Sequence, residues 1–195
     1  MNSEGALDFL RRHQPLPDDD VLDEETIGKF DDVRKYFREY PDPRCVPLLL
    51  GSFGDGDGFG VYQIVDDALR RQPRDIVIQG LKEALRSEHR SVRYWCAHLS
   101  VVFSDERLIQ ELADLLKEED FDMKPSDRGR LEIKSMALSA LGVIGKEAQS
   151  KTTRDVIIDI ITRFEESENN PELLDDVKMI LGEILDSGDT SDGQR

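Results

Sequence analysis

The stretch "SVRYWCAHLSVVF", residues 91–103, decides the class of fold. Val92, Trp95, Cys96, Leu99, Val102 and Phe103 recur at three- and four-residue intervals. That spacing puts them on one face of an α-helix, whereas a half-buried strand would alternate. The same period continues outward in both directions. Upstream, "EETIGKFDDVRKYFREY" (24–40) sets Ile27, Phe30, Val33, Tyr36, Phe37 and Tyr40 at helical spacing, and the Pro-Asp-Pro at 41–43 ends it. Asp42 is expected to cap a second, short apolar helix in "RCVPLLLGSF", with Pro43 at its first position. Val61, Val65, Ala68 and Leu69 predict a third helix ending near Pro73. Asp75 is expected to cap a fourth, with Val77, Leu81, Ala84 and Leu85 as its stripe.

Downstream, Ser104 or Asp105 is placed to cap a helix carrying Leu108, Ile109, Leu112, Leu115 and Leu116. "FDMKPSDRGR" (121–130) is polar, holds Pro and Gly, and reads as a loop. Three further helical segments follow at 131–145, 152–168 and 171–185. Even "DVIIDII", the best strand candidate, repeats its apolar pairs every fourth residue, at 156–157 and 160–161. The expected fold is all-α.

The helices also repeat. Val46, Val77 and Leu108 are spaced 31 residues apart, and so are Val61 and Val92. The next interval, Val92 to Ile133, is longer, with the extra residues in the 120–130 loop. A helix pair repeated with insertions confined to one connection is the pattern of an α-solenoid. "VRYWCAHLSVVF" and "IKSMALSALGVIG" resemble the first helix of HEAT-like repeats, whose pattern runs Val-Arg-x-x-Ala-Ala-x-Ala-Leu-Gly-x-Ile-Gly. "CVPLLLGSF" and "ERLIQELADLL" resemble the second helix, which often runs Ala-Val-Pro-x-Leu. Departures are Cys96 and Leu138 at alanine positions and no terminal Gly-x-Ile-Gly in the 92–103 helix. The resemblance implies about four HEAT-like helix pairs plus terminal helices in one domain, 1–186. Its core repeats lie at 25–165, a capping helix at 171–186 and a disordered tail at 187–195.

A formal net charge of −16 on 195 residues repels phosphate backbones, so nucleic acid is not an expected partner, whereas basic proteins are attracted. No segment approaches the roughly 20 apolar residues that span a bilayer, and "MNSEGALDFLRRHQ" lacks the charged and apolar regions of a secretory signal. Cys45 and Cys96 lie inside apolar helical patterns, as buried free thiols of a reducing, cytoplasmic protein would.

Candidate chemistry is sparse. "GSFGDGDGFG" (51–60) invites a calcium or phosphate reading. As an EF-hand loop from Asp55 it puts Asp57 third and Gly60 sixth, but Phe59, without an oxygen, stands fifth, and Asp66 replaces the final glutamate. Its glycines fall at intervals of two after a helix, unlike a dinucleotide fingerprint, and no lysine makes a P-loop. A joint between helices is the expectation. A nuclease-like set, Asp127, Glu132 and Lys134, is read as helix capping and surface charge. His13, His89 and His98 stand at no metal-ligand spacing; His98 is read as a solvated or boundary side chain, and Trp95 and Phe103 as core. No catalytic residue, metal or cofactor is expected.

What remains is a surface. The 31-residue offset aligns Gln79 with Gln110 and Glu83 with Asp114, all off the apolar stripe, and Asp155 and Asp159 occupy the next such helix. In a solenoid these six would form an acidic ridge on the concave face, suited to a basic protein partner. HEAT-like proteins of this kind resemble bacterial immunity proteins that mask a cognate toxin. The alternatives that the resemblance carries are a bilin lyase-type enzyme subunit and a scaffolding subunit of a larger complex.

Overall fold

The computed structural model describes the backbone of residues 1–117 and 128–189, and side chains at 1–117 and 133–187. The fold is all-α: 71% helix, with no strand among the described residues. The helices are α1 (Ser3–Arg11), α2 (Glu24–Glu39), α3 (Cys45–Leu50), α4 (Asp66–Leu69), α5 (Arg74–Ala84), α6 (Arg90–Val102), α7 (Ile109–Leu116), α8 (Arg128–Glu147), α9 (Lys151–Ser167) and α10 (Pro171–Asp189). The expected loop at 121–130 lies outside the described residues, apart from Arg128, Gly129 and Arg130, which open α8.

The chain divides into two compact units, Met1–Leu99 and Ser100–Arg195. In the first, α1 packs on α2 and α3, α2 on α4, and α3 on α5. Val92, Trp95, Cys96 and Leu99 of α6 are buried here as the period predicts. Burying each large apolar side chain contributes about 1.5–3 kcal/mol, so one such face outweighs any propensity term. Helix α1 escaped the sequence reading, although Ala6, Leu7, Phe9 and Leu10 make a short apolar stripe behind the Asn2 cap, whose side chain accepts from the Gly5 N–H at 2.8 Å.

Several helix starts differ from expectation. Pro73, not Asp75, stands at the cap of α5; Asp75 lies inside its first turn. Asp42 turns the chain before α3, accepting from the Arg44 N–H at 3.1 Å, but the helix itself begins at Cys45. The third expected helix is broken into a 3-10 turn, Tyr62–Ile64, and α4. The tighter 3-10 winding moves the register, so Tyr62 is buried and Val61 only half-buried. Tyr40, placed on the α2 stripe by period, is exposed because the helix has already ended at Glu39.

In the second unit α8 packs against α7, α9 and α10, and α9 against α10. The Gly-x-x-Gly of α8 has a packing reason. A Cβ on Gly142 would stand 2.8 Å from Ile180 Cγ2, and one on Gly145 2.9 Å from Ile184 Cδ1. Lys134, expected at the surface, is buried: its ammonium lies 3.2 Å from Glu168 Oε2 and 5.7 Å from the Phe164 ring centre. Burial opposes ionisation of Glu168, but the N–H groups of Asn170 and Asn169 and the Lys134 ammonium outweigh it, so its pKa lies below the ordinary 4.5. A depressed carboxylate stabilises the fold above its unfolded pKa and loses that contribution as pH falls through the folded value. Urea midpoints measured by circular dichroism should therefore fall with pH below about 4.5, and less so in Glu168→Gln, which is already destabilised at pH 7.

Candidate partner-binding surfaces

The six expected contact residues lie on three helices: Gln79 and Glu83 on α5, Gln110 and Asp114 on α7, Asp155 and Asp159 on α9. Glu83, Asp114, Asp155 and Asp159 are exposed, while the opposite faces of their helices carry the buried residues Val77, Leu81, Leu112, Leu116, Ile157 and Ile161. Each acid has a neighbour one turn away. Gln79 donates to Glu83 at 2.8 Å; Lys117 lies 2.7 Å from Asp114, Lys151 3.0 Å from Asp155 and Arg163 2.9 Å from Asp159. Exposed pairs of this spacing contribute only about 0.3–0.5 kcal/mol, so an incoming guanidinium can replace them at little cost.

Within the second unit, α7 and α9 also enclose a groove of about 390 Å³. Ala113, Leu116, Val156, Ile160 and Phe164 supply its apolar lining, and Gln110 belongs to its wall. Its charged lining residues are the cations Lys117 and Arg163, which pair with Asp114 and Asp159. An apolar recess edged by charge is the layout of a protein contact, in which the recess supplies affinity and the charge supplies rate and register.

The 51–60 segment is a joint with an internal lock. Gly56, Gly58 and Gly60 have φ of 107°, 57° and 86°, which glycine adopts freely. Their turn aims backbone N–H groups inward, and the carboxylate of Asp19 fills the resulting cradle. It accepts from Asp57 N–H at 2.9 Å and Gly58 N–H at 3.1 Å. Asp18 accepts from Asp55 N–H at 3.2 Å, and the Asp55 carbonyl accepts from Asp19 N–H at 2.9 Å. Trp95 Nε1 donates to the Gly56 carbonyl at 3.0 Å, and Gly54 N–H donates to the Tyr62 hydroxyl at 3.2 Å. The donors that a phosphate would use are thus occupied by the chain's own carboxylate. Replacing one oxygen by an amide, as in Asp19→Asn, sets an N–H against an N–H. It should lower stability by about 1–2 kcal/mol and speed amide exchange at Asp57 and Gly58. Exchange unchanged at those two amides would refute the lock.

Other candidate chemistry dissolves on inspection. Cys45 and Cys96 are buried thiols, neither of them in a disulfide. Burial, and next the nearby Asp42 charge, push the Cys45 thiol up to about 12, and burial raises Cys96 as well, so neither forms a thiolate near neutrality. His98 is half-buried edge-on to Trp95, ring centres 5.5 Å apart, and burial lowers its pKa. Of the nuclease-like set, Asp127 and the Glu132 side chain lie outside the described residues, and Lys134 is held by Glu168. Among the described residues no group of three or more His, Cys, Asp or Glu side chains is placed to hold a metal ion, and no helix is long and apolar enough to cross a membrane.

Comparison with protein-family models, with curated proteins and with solved structures returned no match.

Proposed function

We propose that this chain is a non-catalytic binding module for a basic protein, built as a HEAT-like α-solenoid and contacting its partner through Gln79, Glu83, Gln110, Asp114, Asp155 and Asp159. The observation that carries this is the exposure of Glu83, Asp114, Asp155 and Asp159 on helices whose other faces are buried, together with the apolar α7–α9 groove that has Gln110 on its wall. The 31-residue recurrence of the buried positions Val46, Val77 and Leu108 supports the solenoid. The net charge of −16 supports a basic partner. Neutralising a cognate toxin, as a bacterial immunity protein does, is the narrower form of the same proposal. It needs nothing of the chain beyond a rigid acidic surface that covers a basic one.

The test is affinity capture from native lysate with the wild type and with the combined Glu83→Lys, Asp114→Lys and Asp159→Lys variant. One basic protein retained by the wild type and lost by the variant is the expected result. Retention that ignores the three reversals, or no protein retained by either, contradicts the proposal.

A further inference from the structure

Helix α10 buries Leu173, Val177, Ile180 and Ile184, and Gly182 stands on its opposite, exposed face. A glycine inside a helix is destabilising relative to alanine, so its presence calls for a reason. In α8 the reason is visible, since Ile180 and Ile184 occupy the space that a Cβ on Gly142 or Gly145 would need. At Gly182 a Cβ would meet nothing within 4 Å. Gly28 of α2 is equally open, but one turn either side of it stand only the acids Glu24, Glu25, Asp31 and Asp32. The surroundings of Gly182 are different.

One turn before Gly182 stand Lys178 and Met179, and one turn after it Leu185 and Asp186. All four are exposed, Met179 by 58% and Leu185 by 57%. Residues three and four apart share a helix face, so cation, apolar, glycine, apolar and anion follow one another along a single stripe. That order is self-complementary. Laid antiparallel on a second copy with the twofold axis at Gly182, Lys178 faces Asp186 of that copy and Met179 faces its Leu185. The axis makes each contact twice, and the glycine at the crossing lets the two backbones approach closely. Within the chain, Lys178 lies 3.4 Å from Asp175, both side chains being exposed, and Asp186 has no cation beside it among the described residues.

We propose that the outer face of α10 is a self-association surface, on which two copies of the chain pair antiparallel about Gly182. The net charge of −16 on each copy opposes pairing, but at about 0.15 M salt it is largely screened beyond about 8 Å. The two Lys178–Asp186 pairs act at contact distance and keep their attraction. One helix from each copy covers less than the roughly 1,200 Å² of a stable complex, so the dimer is weak, with Kd on the order of 0.1 mM. The surface goes beyond the binding of a basic protein and shares no residue with the α5, α7 and α9 acids.

The test is sedimentation equilibrium of the full chain between about 0.01 and 1 mM in about 0.15 M salt. The wild type should pass from monomer towards dimer over that range. Lys178→Glu and Asp186→Lys should each weaken association at least about tenfold, because each sets like charges opposite one another twice. Mixed in equal amounts, the two variants should associate again, since both pairs are then of opposite sign. The double variant should recover by itself for the same reason. Gly182→Gln should raise the urea midpoint of the chain, glutamine being the better helix former in open space, and yet lose the dimer. The inference is overturned by a chain that stays monomeric at about 1 mM, which would leave the face to another occupant such as the basic partner. It is equally overturned by association that the charge reversals or Gly182→Gln leave unchanged, or by no recovery on mixing.

Discussion

Arg34→Met should lower unfolding stability by about 3 kcal/mol, the largest effect expected from a single charge change. Arg34 lies on α2 and is 2% exposed, yet it is fully engaged. Its Nε and Nη2 donate to Asp31 Oδ1 at 2.9 and 2.6 Å, and its Nη1 donates to Asp67 Oδ1 at 2.6 Å. Because Asp67 belongs to α4, the guanidinium ties the two helices together. Methionine keeps much of the volume but leaves two partly buried carboxylates, 21% and 34% exposed, with Lys35 and Arg38 as remaining cations. The loss should shrink in acid. Burial opposes ionisation of Asp31, but hydrogen bonds from Lys35 and Arg34 outweigh it and hold its pKa below 3.8. That contribution is present above the unfolded pKa and disappears as pH falls through the folded one. Urea midpoints at pH 7 and about pH 3 measure both effects, and adding Asp67→Asn to Arg34→Met should recover part of the loss at neutral pH. A neutral-pH loss under about 1 kcal/mol would show that the cluster is not what joins α2 to α4.

Trp95→Ala should cost about 3–5 kcal/mol, and Trp95→Phe about 1–2 kcal/mol. The indole is 4% exposed. It stacks on Phe53 with ring centres 5.8 Å apart and meets Tyr62 edge-on at 5.6 Å. Alanine removes this aromatic centre of the first unit. Phenylalanine keeps most of the packing but leaves the Gly56 carbonyl without the indole N–H. The two variants therefore separate packing from loop fixation. Trp95→Phe should raise amide exchange at Gly58 and Gly60 beyond its effect on global stability. Chemical denaturation with residue-resolved exchange distinguishes them; loop exchange that only follows global stability would contradict the tether.

What was legible in the sequence was whatever the helical period alone dictates. Val92, Trp95, Cys96 and Leu99 are buried because a single regular helix carries all four. Val46 on α3 and Val77 on α5 are buried at the same 31-residue spacing as Leu108, which is buried in the 3-10 turn Glu106–Leu108 that leads into α7. The period failed where the winding changed, exchanging Val61 for Tyr62 in a three-residue turn too short to show its own repeat. It was silent on contacts made by distant residues. Asp19 lies 38 residues from Asp57, and no local rule joins an aspartate in one loop to amides in another. Lys134 looked like surface charge because burial of its ammonium depends on Glu168, 34 residues on. For the candidate contact acids, sequence reading placed them off the apolar stripes, and they are exposed. Their in-helix partners are also legible from spacing, since Lys117, Lys151 and Arg163 stand three or four residues from Asp114, Asp155 and Asp159. Nothing in the identity of Phe59 signals its left-handed backbone, which occurs in a turn whose Gly58 N–H donates to the distant Asp19.

Binding through the acids of α5, α7 and α9 is tested most directly by the association rate of the captured basic protein with the full chain. It should be followed by stopped flow between about 0.05 and 0.5 M salt. For the wild type the rate constant should fall at least about tenfold over that range, because exposed carboxylates accelerate encounter only while unscreened. Glu83→Lys/Asp114→Lys/Asp159→Lys should start slower and fall several-fold less. A rate constant unmoved by salt, or the same fall in both chains, would contradict docking through these carboxylates.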